Sequence, residues 1–393
     1  MRMKTVPILL TFFAMGVADA MGPMSDAVKE NYELSNVMAT LLSFFVFIAF
    51  AVFSVPGGLL AARIGKKKLL LLGLGLNVVA MAVPCFIVPN FALLLACIFA
   101  LGVGTTFLQV AGNPIMHDVS AEGNYGRNLS FAQGFKGIGS TASTYLVTAI
   151  AGIALFSSMG WRGVFPFFAL LMAGAFIWVA CIKVKETQPD TPPNIGSSLS
   201  LLKKPVFALA VLGIFLYVGS EVCMARFLKP LLENMGLSAD KATSFGPGFF
   251  FLLLTIGRLI GGAVLNFMTS RTFFRVSAAM GLAGAIILTT GVSSIAVVGV
   301  ALAGFGFANI WPMLFSITVE KDPERGSELS GLMCMAISGG ALIPLLMGKF
   351  VDLDWGPRAF IVPVVCFVYL TILSLQNDKP KQAEMVEEAV PSP

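Results

Sequence analysis

Long apolar runs recur along the whole chain, separated by short polar stretches. They cover residues 7–24, 38–61, 69–88, 91–116, 129–154 and 161–182, then 205–228, 242–267, 273–292, 294–318, 329–350 and 358–376. Each is near the length, roughly 20 residues, at which an α-helix crosses the hydrocarbon core of a bilayer. The pattern predicts an all-α membrane protein with twelve transmembrane helices. A polar, proline-rich stretch from Lys183 to Ser198 divides the runs six and six. We read an N-terminal bundle over 1–185, a cytoplasmic linker over 186–204, a C-terminal bundle over 205–376 and a cytoplasmic tail over 377–393.

The two halves repeat one another. Gly57-Gly58 recurs as Gly261-Gly262, "LGVG" (101–104) as "AGFG" (303–306), Gly126 as Gly326, and "FFAMG" (12–16) as "FLYVG" (215–219). The four shifts lie between 200 and 204 residues, which points to a duplicated six-helix unit and two pseudo-symmetric bundles. A substrate path then belongs between the halves, near the bilayer midplane.

Composition agrees with burial in lipid. Residues are 57% hydrophobic and only 12% charged, against about 25% charged in a soluble domain. The net charge of +5 is no sign of nucleic-acid binding, because the basic residues sit in short clusters between apolar runs. With the N-terminus inside, 17 of the 26 Lys and Arg residues fall in cytoplasmic segments, Arg63 and Lys66 to Lys68 among them. Only Lys29, Arg162, Lys229, Lys241 and Arg358 fall outside. That asymmetry predicts an inner-membrane protein with both termini in the cytoplasm. A competing reading takes "MRMK", the first run and "ADA" (18–20) as a cleaved signal peptide. It leaves eleven spans and inverts the charge bias.

Little else suggests chemistry of the catalytic kind. The six cysteines all lie inside apolar runs without a C-x-x-C pair, and read as small buried hydrophobes. His117, the single histidine, makes no metal site and reads as an interfacial residue. There is no phosphate-cradling loop, catalytic triad or metal cluster, so neither an enzyme nor a resident cofactor is expected. The glycines of "GVG" (102–104) read as close-packing positions.

Polar residues inside the spans carry more information, since charges there face the protein interior or water. Asp19 and Glu221 fall at nearly equivalent places in the two halves. Lys136 lies at a depth similar to Gln109, with Gln133 one turn away on the same face. Lys136 is either a counter-ion to Asp19 or Glu221, or the holder of an anionic group. Arg226 is a possible anion contact nearer the outer end, while Arg258 and Lys349 read as structural. In "LQVAGNP" (108–114), Gln109 and Asn113 share one helix face, and their amides match the hydroxyls of a sugar. Pro114 lacks an N–H and so frees a carbonyl one turn earlier. Asn309, Trp311 and Pro312 occupy the repeat-related place, where the Trp311 ring can stack on a sugar.

These motifs resemble the major facilitator superfamily, and within it the fucose–galactose–glucose:proton symporter family. "GGLLAARIGKKK" (57–68) is similar to the superfamily's basic loop, with Ala62 where an acidic residue is usual. "LQVAGNP" resembles the family's fourth-helix motif through Asn113 and Pro114, with Gln109 in place of a glutamate. "RNLSFAQGFKGIGS" (127–140) resembles the fifth helix, with Lys136 in place of an uncharged residue. "WPMLFSI" (311–317) and "GSELSGLMCMAISGGALIPLLMGKFVD" (326–352) are similar as well. The resemblance implies the major facilitator fold and a symporter importing a monosaccharide or sugar derivative by alternating access; a cation gradient is expected to drive it, and a monomer is expected. From the polar residues of the spans, the candidate substrate contacts are Gln109, Asn113, Gln133, Lys136, Asn309 and Trp311. Because Gln109 does not titrate, coupling to H+ or Na+ is expected at Asp19, with Glu221. The alternatives are an acidic sugar or small organic anion held by Lys136, and export of amphiphilic compounds.

Overall fold

The computed structural model describes residues 5–17, 24, 28–34, 36–151, 154–189 and 193–376. The helices that matter here are α1 (Thr5–Met15), α2 (Asn36–Ile64), α3 (Lys66–Phe86), α4 (Phe91–Val119) and α5 (Tyr125–Ala151). They continue with α6 (Met159–Cys181), α7 (Pro205–Asn234), α8 (Ala239–Val264) and α9 (Ser270–Thr289). The last three are α10 (Ser293–Val319), α11 (Gly326–Asp352) and α12 (Gly356–Leu375). Ten of these are long and apolar enough to cross a membrane. The other two are the short apolar α1 and the 27-residue α5, which at 1.5 Å per residue reaches about 40 Å. The twelve helices stand where the hydropathy pattern expects them, and no strand occurs among the described residues. The tail 377–393 lies outside those residues.

Large apolar side chains face outward as well as inward. Phe44, Leu170, Ile177, Leu345, Val365 and Ile372 are exposed on the helix surfaces. In water such faces are a liability; against lipid they are the ordinary state of a spanning helix. Inside the bundles, glycine brings backbones together. A Cβ at Gly104 of α4 overlaps the Asn77 side chain and comes within 2.7 Å of the Gly73 carbonyl in α3. Its repeat partner, Gly306 of α10, lies directly against Gly281 of α9. The close-packing role expected for "GVG" is thus met in both halves.

The halves pack most extensively along two helix pairs. Between α5 and α8, Gly134 faces Leu259, Gly137 faces Thr255 and Gly262 faces Phe131. Between α2 and α11, a Cβ at Gly58 stands 2.6 Å from the Ser327 carbonyl, and one at Gly331 stands 2.8 Å from the Ser54 carbonyl. Gly58 is one of the glycines just before the basic cluster, so the halves are closed against each other at the basic end.

That end also carries the connection between the halves. Lys66 Nζ pairs with Asp118 at 2.6 Å. The Glu186 carboxylate accepts from the backbone N–H groups of Lys66 and Lys67, where the first turn of α3 leaves donors free. Ser198 Oγ donates to Glu328 at 2.7 Å, and Arg325 grips both oxygens of Glu328 while also donating to the Ser197 carbonyl. The segment after α6 is thereby bonded to α3 on one side and α11 on the other.

The crossing of α1 and α5 supplies a test of this packing. Gly139 of α5 sits on the Phe13 carbonyl, and Gly16 follows α1 against the Lys136 carbonyl. Gly139→Leu forces the helices apart, at a cost of about 1–3 kcal/mol or more. Gly174→Leu, at an exposed glycine with nothing within 4 Å of an added Cβ, should be neutral. Thermal unfolding in detergent should show a clear drop in Tm for the first substitution and none for the second. Equal effects would contradict the packing.

Candidate functional site

Two prolines organise the centre of the molecule. Pro114 in α4 cannot donate to the carbonyl of Val110, four residues earlier. In hydrocarbon that carbonyl needs another partner. Ser330 Oγ of α11 donates to it at 2.7 Å, across the boundary between the halves. Pro312 in α10 likewise frees the carbonyl of Ala308, and there Arg258 Nε of α8 donates at 3.1 Å. The α4 helix runs unbroken through Pro114, whereas α10 opens at Asn309, where φ is −113°.

The residues beside the first proline form an uncharged amide cluster with a cation at its edge. Gln109 and Asn113 are 2% and 0% exposed. Gln133 Nε2 of α5 donates to Asn113 Oδ1 at 3.2 Å, and the Tyr125 hydroxyl donates to the Asn113 backbone carbonyl at 2.9 Å. Gln109 Oε1 and Asn113 Nδ2 have no hydrogen-bond partner among the described residues. Cys334 of α11 lies beside Ser330 and Asn113 and within reach of the Lys136 charge. Lys136 is half-buried, and no carboxylate stands against it among the described residues. Four of the expected contacts, Gln109, Asn113, Gln133 and Lys136, therefore lie on two adjacent helices.

Around the second proline, Asn309 and Arg258 are engaged with other parts of the protein. Asn309 accepts from Ser130 of α5 and donates from Nδ2 to the Gly257 carbonyl at 2.8 Å, so both ends of its amide tie helices together. Arg258 Nη2 donates to the Tyr217 hydroxyl at 3.2 Å and stands 3.7 Å from Glu221 Oε1. Glu221 is thus the counter-ion of Arg258. Of the two carboxylates considered as partners for Lys136, Glu221 stands within ion-pair distance of Arg258, which the Ala308 carbonyl also holds.

Asp19 falls outside the described residues. Arg226 is exposed, with its guanidinium 5.9 Å from the Phe227 ring centre. Trp311 is buried against Phe315 at a ring separation of 5.7 Å, and its indole N–H has no partner among the described residues. His117 packs edge-on against Tyr125 beside Asp118, at the basic end where an interfacial residue belongs.

With this geometry in view, comparison with known proteins is decisive. The sequence pattern of the Major Facilitator Superfamily matches residues 8–344. The chain belongs to the Major Facilitator Superfamily. It is 27% identical over 385 residues to the glucose/galactose transporter of Brucella abortus, covering 95% of this chain and 93% of the relative. The L-fucose-proton symporter of Haemophilus influenzae is 22% identical, with 93% and 95% covered. These names bear out the family resemblance carried by the sequence motifs, and the relatives are transporters rather than enzymes. Among solved structures, FucP in the outward conformation is similar at a TM-score of 0.84, with 19% identity and 95% and 98% of the two chains covered. The proton:xylose symporter XylE is similar at a TM-score of 0.74, with 12% identity and 94% of each chain covered. The protein is a multi-pass membrane protein with the twelve-helix major facilitator fold.

Several residues of this superfamily member's centre were not singled out by sequence reading. Ser130, Tyr217, Ser330 and Cys334 are small or common residues in apolar helices, and no local pattern marks them. Arg258 was legible as a charge within a span, and its structural role is as expected. The available signal was positional: a proline in a spanning helix requires a donor for the carbonyl four residues earlier.

Two substitutions test these assignments. Arg258→Met leaves Glu221 and the Ala308 carbonyl without their partner, and breaking a buried pair costs about 3–5 kcal/mol. Adding Glu221→Gln should return part of the lost Tm; a double variant no better than the single would refute the pairing. Ser330→Ala leaves the Val110 carbonyl unpaired, at about 1–3 kcal/mol. Thermal unfolding of Ser330→Ala indistinguishable from that of the parent chain would remove the inter-half bond from consideration.

Proposed function

We propose that the protein is a secondary active transporter that imports a monosaccharide or sugar derivative, driven by a cation gradient, through alternating access. The observation that carries this reading is the buried amide cluster of Gln109, Asn113 and Gln133, two of whose polar atoms have no partner among the described residues. Unpaired buried amides cost free energy unless a ligand completes them, and sugar hydroxyls both donate and accept. Trp311, with its free N–H, adds an apolar face and a donor from the other half. Asn309 contributes by holding the break in α10 in place. The named relatives, transporters of glucose and galactose or of fucose with protons, support the same substrate class.

Coupling is assigned to Asp19. Gln109 binds substrate and carries no proton, while Glu221 balances Arg258. The basic end faces the cytoplasm, both termini are cytoplasmic, and the protein works as a monomer in the inner membrane.

Uptake of a panel of neutral and acidic monosaccharides into proteoliposomes, under proton or sodium gradients, tests the proposal. At least one sugar should accumulate with a gradient and not without. Gln109→Ala should raise the apparent KM about tenfold, as loss of a ligand hydrogen bond predicts, with ion dependence intact. Asp19→Asn should abolish gradient-driven accumulation and spare exchange. Failure of every sugar to accumulate would sink the import reading, and accumulation persisting in Asp19→Asn would sink the coupling assignment.

A further inference from the structure

Away from the centre, the basic end holds a cavity of about 490 Å³ that plays no part in the transport reading. Its volume falls within the range of small-molecule sites, about 300–1,000 Å³. Three segments build its wall. Arg127 comes from the start of α5 in the N-terminal half, Ser270 and Arg271 from the start of α9, and Glu320 and Lys321 from just beyond α10. The halves meet here: the Arg127 guanidinium donates to Asn266 Oδ1 at 2.9 Å, and a Cβ at Gly126 stands 2.6 Å from Ser270 Oγ. Arg127, Arg271 and Lys321 are half-buried, so solvent screens them only in part, and Glu320 is the one carboxylate that lines the cavity with them. The bias of basic residues toward one membrane face accounts for their number at this end. It does not require three of them, from separate segments, to line one cavity. Ser270 opens α9 at the same wall, and a helix start turns N–H groups and the positive end of its dipole toward an anion.

We infer that this cavity binds a phosphate ester that carries a hydroxyl group, with the phosphate among Arg127, Arg271 and Lys321 and the hydroxyl donating to Glu320. Guanidinium and ammonium groups form charge-assisted hydrogen bonds to phosphate oxygens, about twice as strong as neutral ones. The carboxylate sets the ligand apart from bare phosphate, because it repels an anion and accepts from a hydroxyl. A soluble glycerol or sugar phosphate has this chemistry, and so has the headgroup of phosphatidylglycerol. Basic pockets between membrane helices are suited to such headgroups. Arg127 belongs to one half, and Arg271 and Lys321 to the other. The bound phosphate therefore bridges the halves and adds a link at the end where they are closed. The site is separate from the amide cluster and stands whatever substrate that cluster takes.

The experiment uses the full chain in two arms. In detergent, glycerol 3-phosphate is titrated against inorganic phosphate; in nanodiscs, phosphatidylglycerol mixed into phosphatidylcholine is set against phosphatidylcholine alone. In at least one arm the hydroxyl-bearing phosphate should raise Tm by mass action. A response in the first arm identifies a soluble ligand, and a response confined to the second identifies the lipid. Arg127→Gln and Lys321→Gln should each weaken the apparent affinity about tenfold, as loss of one charged hydrogen bond predicts. Lys68→Gln makes the same charge change at an exposed position of the same end, outside the cavity, and should leave the affinity unchanged. Hydrogen exchange of the unmodified chain gives a readout independent of any variant: the bound probe should slow exchange across 265–272 and leave 65–68 as it was. A response in neither arm overturns the inference. So does an equal response to inorganic phosphate, an equal loss in Lys68→Gln, which makes the effect one of general surface charge, or an unchanged affinity in Arg127→Gln, which removes the bridge. Each of these leaves sugar import standing.

Discussion

The arrangement of this protein's centre depends on a backbone constraint: a carbonyl freed by proline inside a spanning helix must find a donor, because lipid has none to offer. Pro114 and Pro312 create that demand at related places in the two halves. Ser330 answers it at Val110 and Arg258 at Ala308. The first answer crosses between the halves; the second stays within the C-terminal half. From these two choices much of the remaining polar structure follows.

An arginine used as a donor brings a charge with it. Glu221 and the Tyr217 hydroxyl are grouped about Arg258 for that reason, and Asn309 and Ser130 complete the same knot. A serine brings no charge, and among the described residues Lys136 is the charge beside the amide cluster of the N-terminal half. Two atoms of those amides have no partner among the described residues. Duplication has therefore produced two proline-centred regions with different partners. In the C-terminal half Arg258 and Asn309 tie helices together, and in the N-terminal half Gln109 and Asn113 each keep a polar atom without a partner among the described residues.

In the proposed alternating-access cycle, movement between states would work against specific contacts. At the basic end the halves meet through glycine faces with almost no space between backbones, and the segment after α6 is hydrogen-bonded to both. Nearer the centre, the Ser330–Val110 and Ser130–Asn309 bonds also cross the boundary. Opening this end requires water or new partners for each group exposed. Such bonds are individually modest, about 0.5–1.5 kcal/mol net. That scale permits exchange between states while the helices of each half stay intact.

The twelve spans, the two halves and the close-packing glycines were legible in the sequence, because lipid imposes length and hydropathy on each helix separately. Gln109, Asn113, Gln133 and Lys136 were legible too, as polar residues with helical spacing inside apolar runs. Their mutual placement followed from the adjacency of α4 and α5. What the sequence did not contain in any local pattern was the choice of partners. That Glu221 would take Arg258 rather than Lys136, and that Asn309 would be consumed by Ser130 and Gly257, depended on how α5, α7, α8 and α10 pack. A pairing in a bundle is decided by distances of a few ångströms between residues tens to hundreds of positions apart. Only the tertiary structure sets those distances.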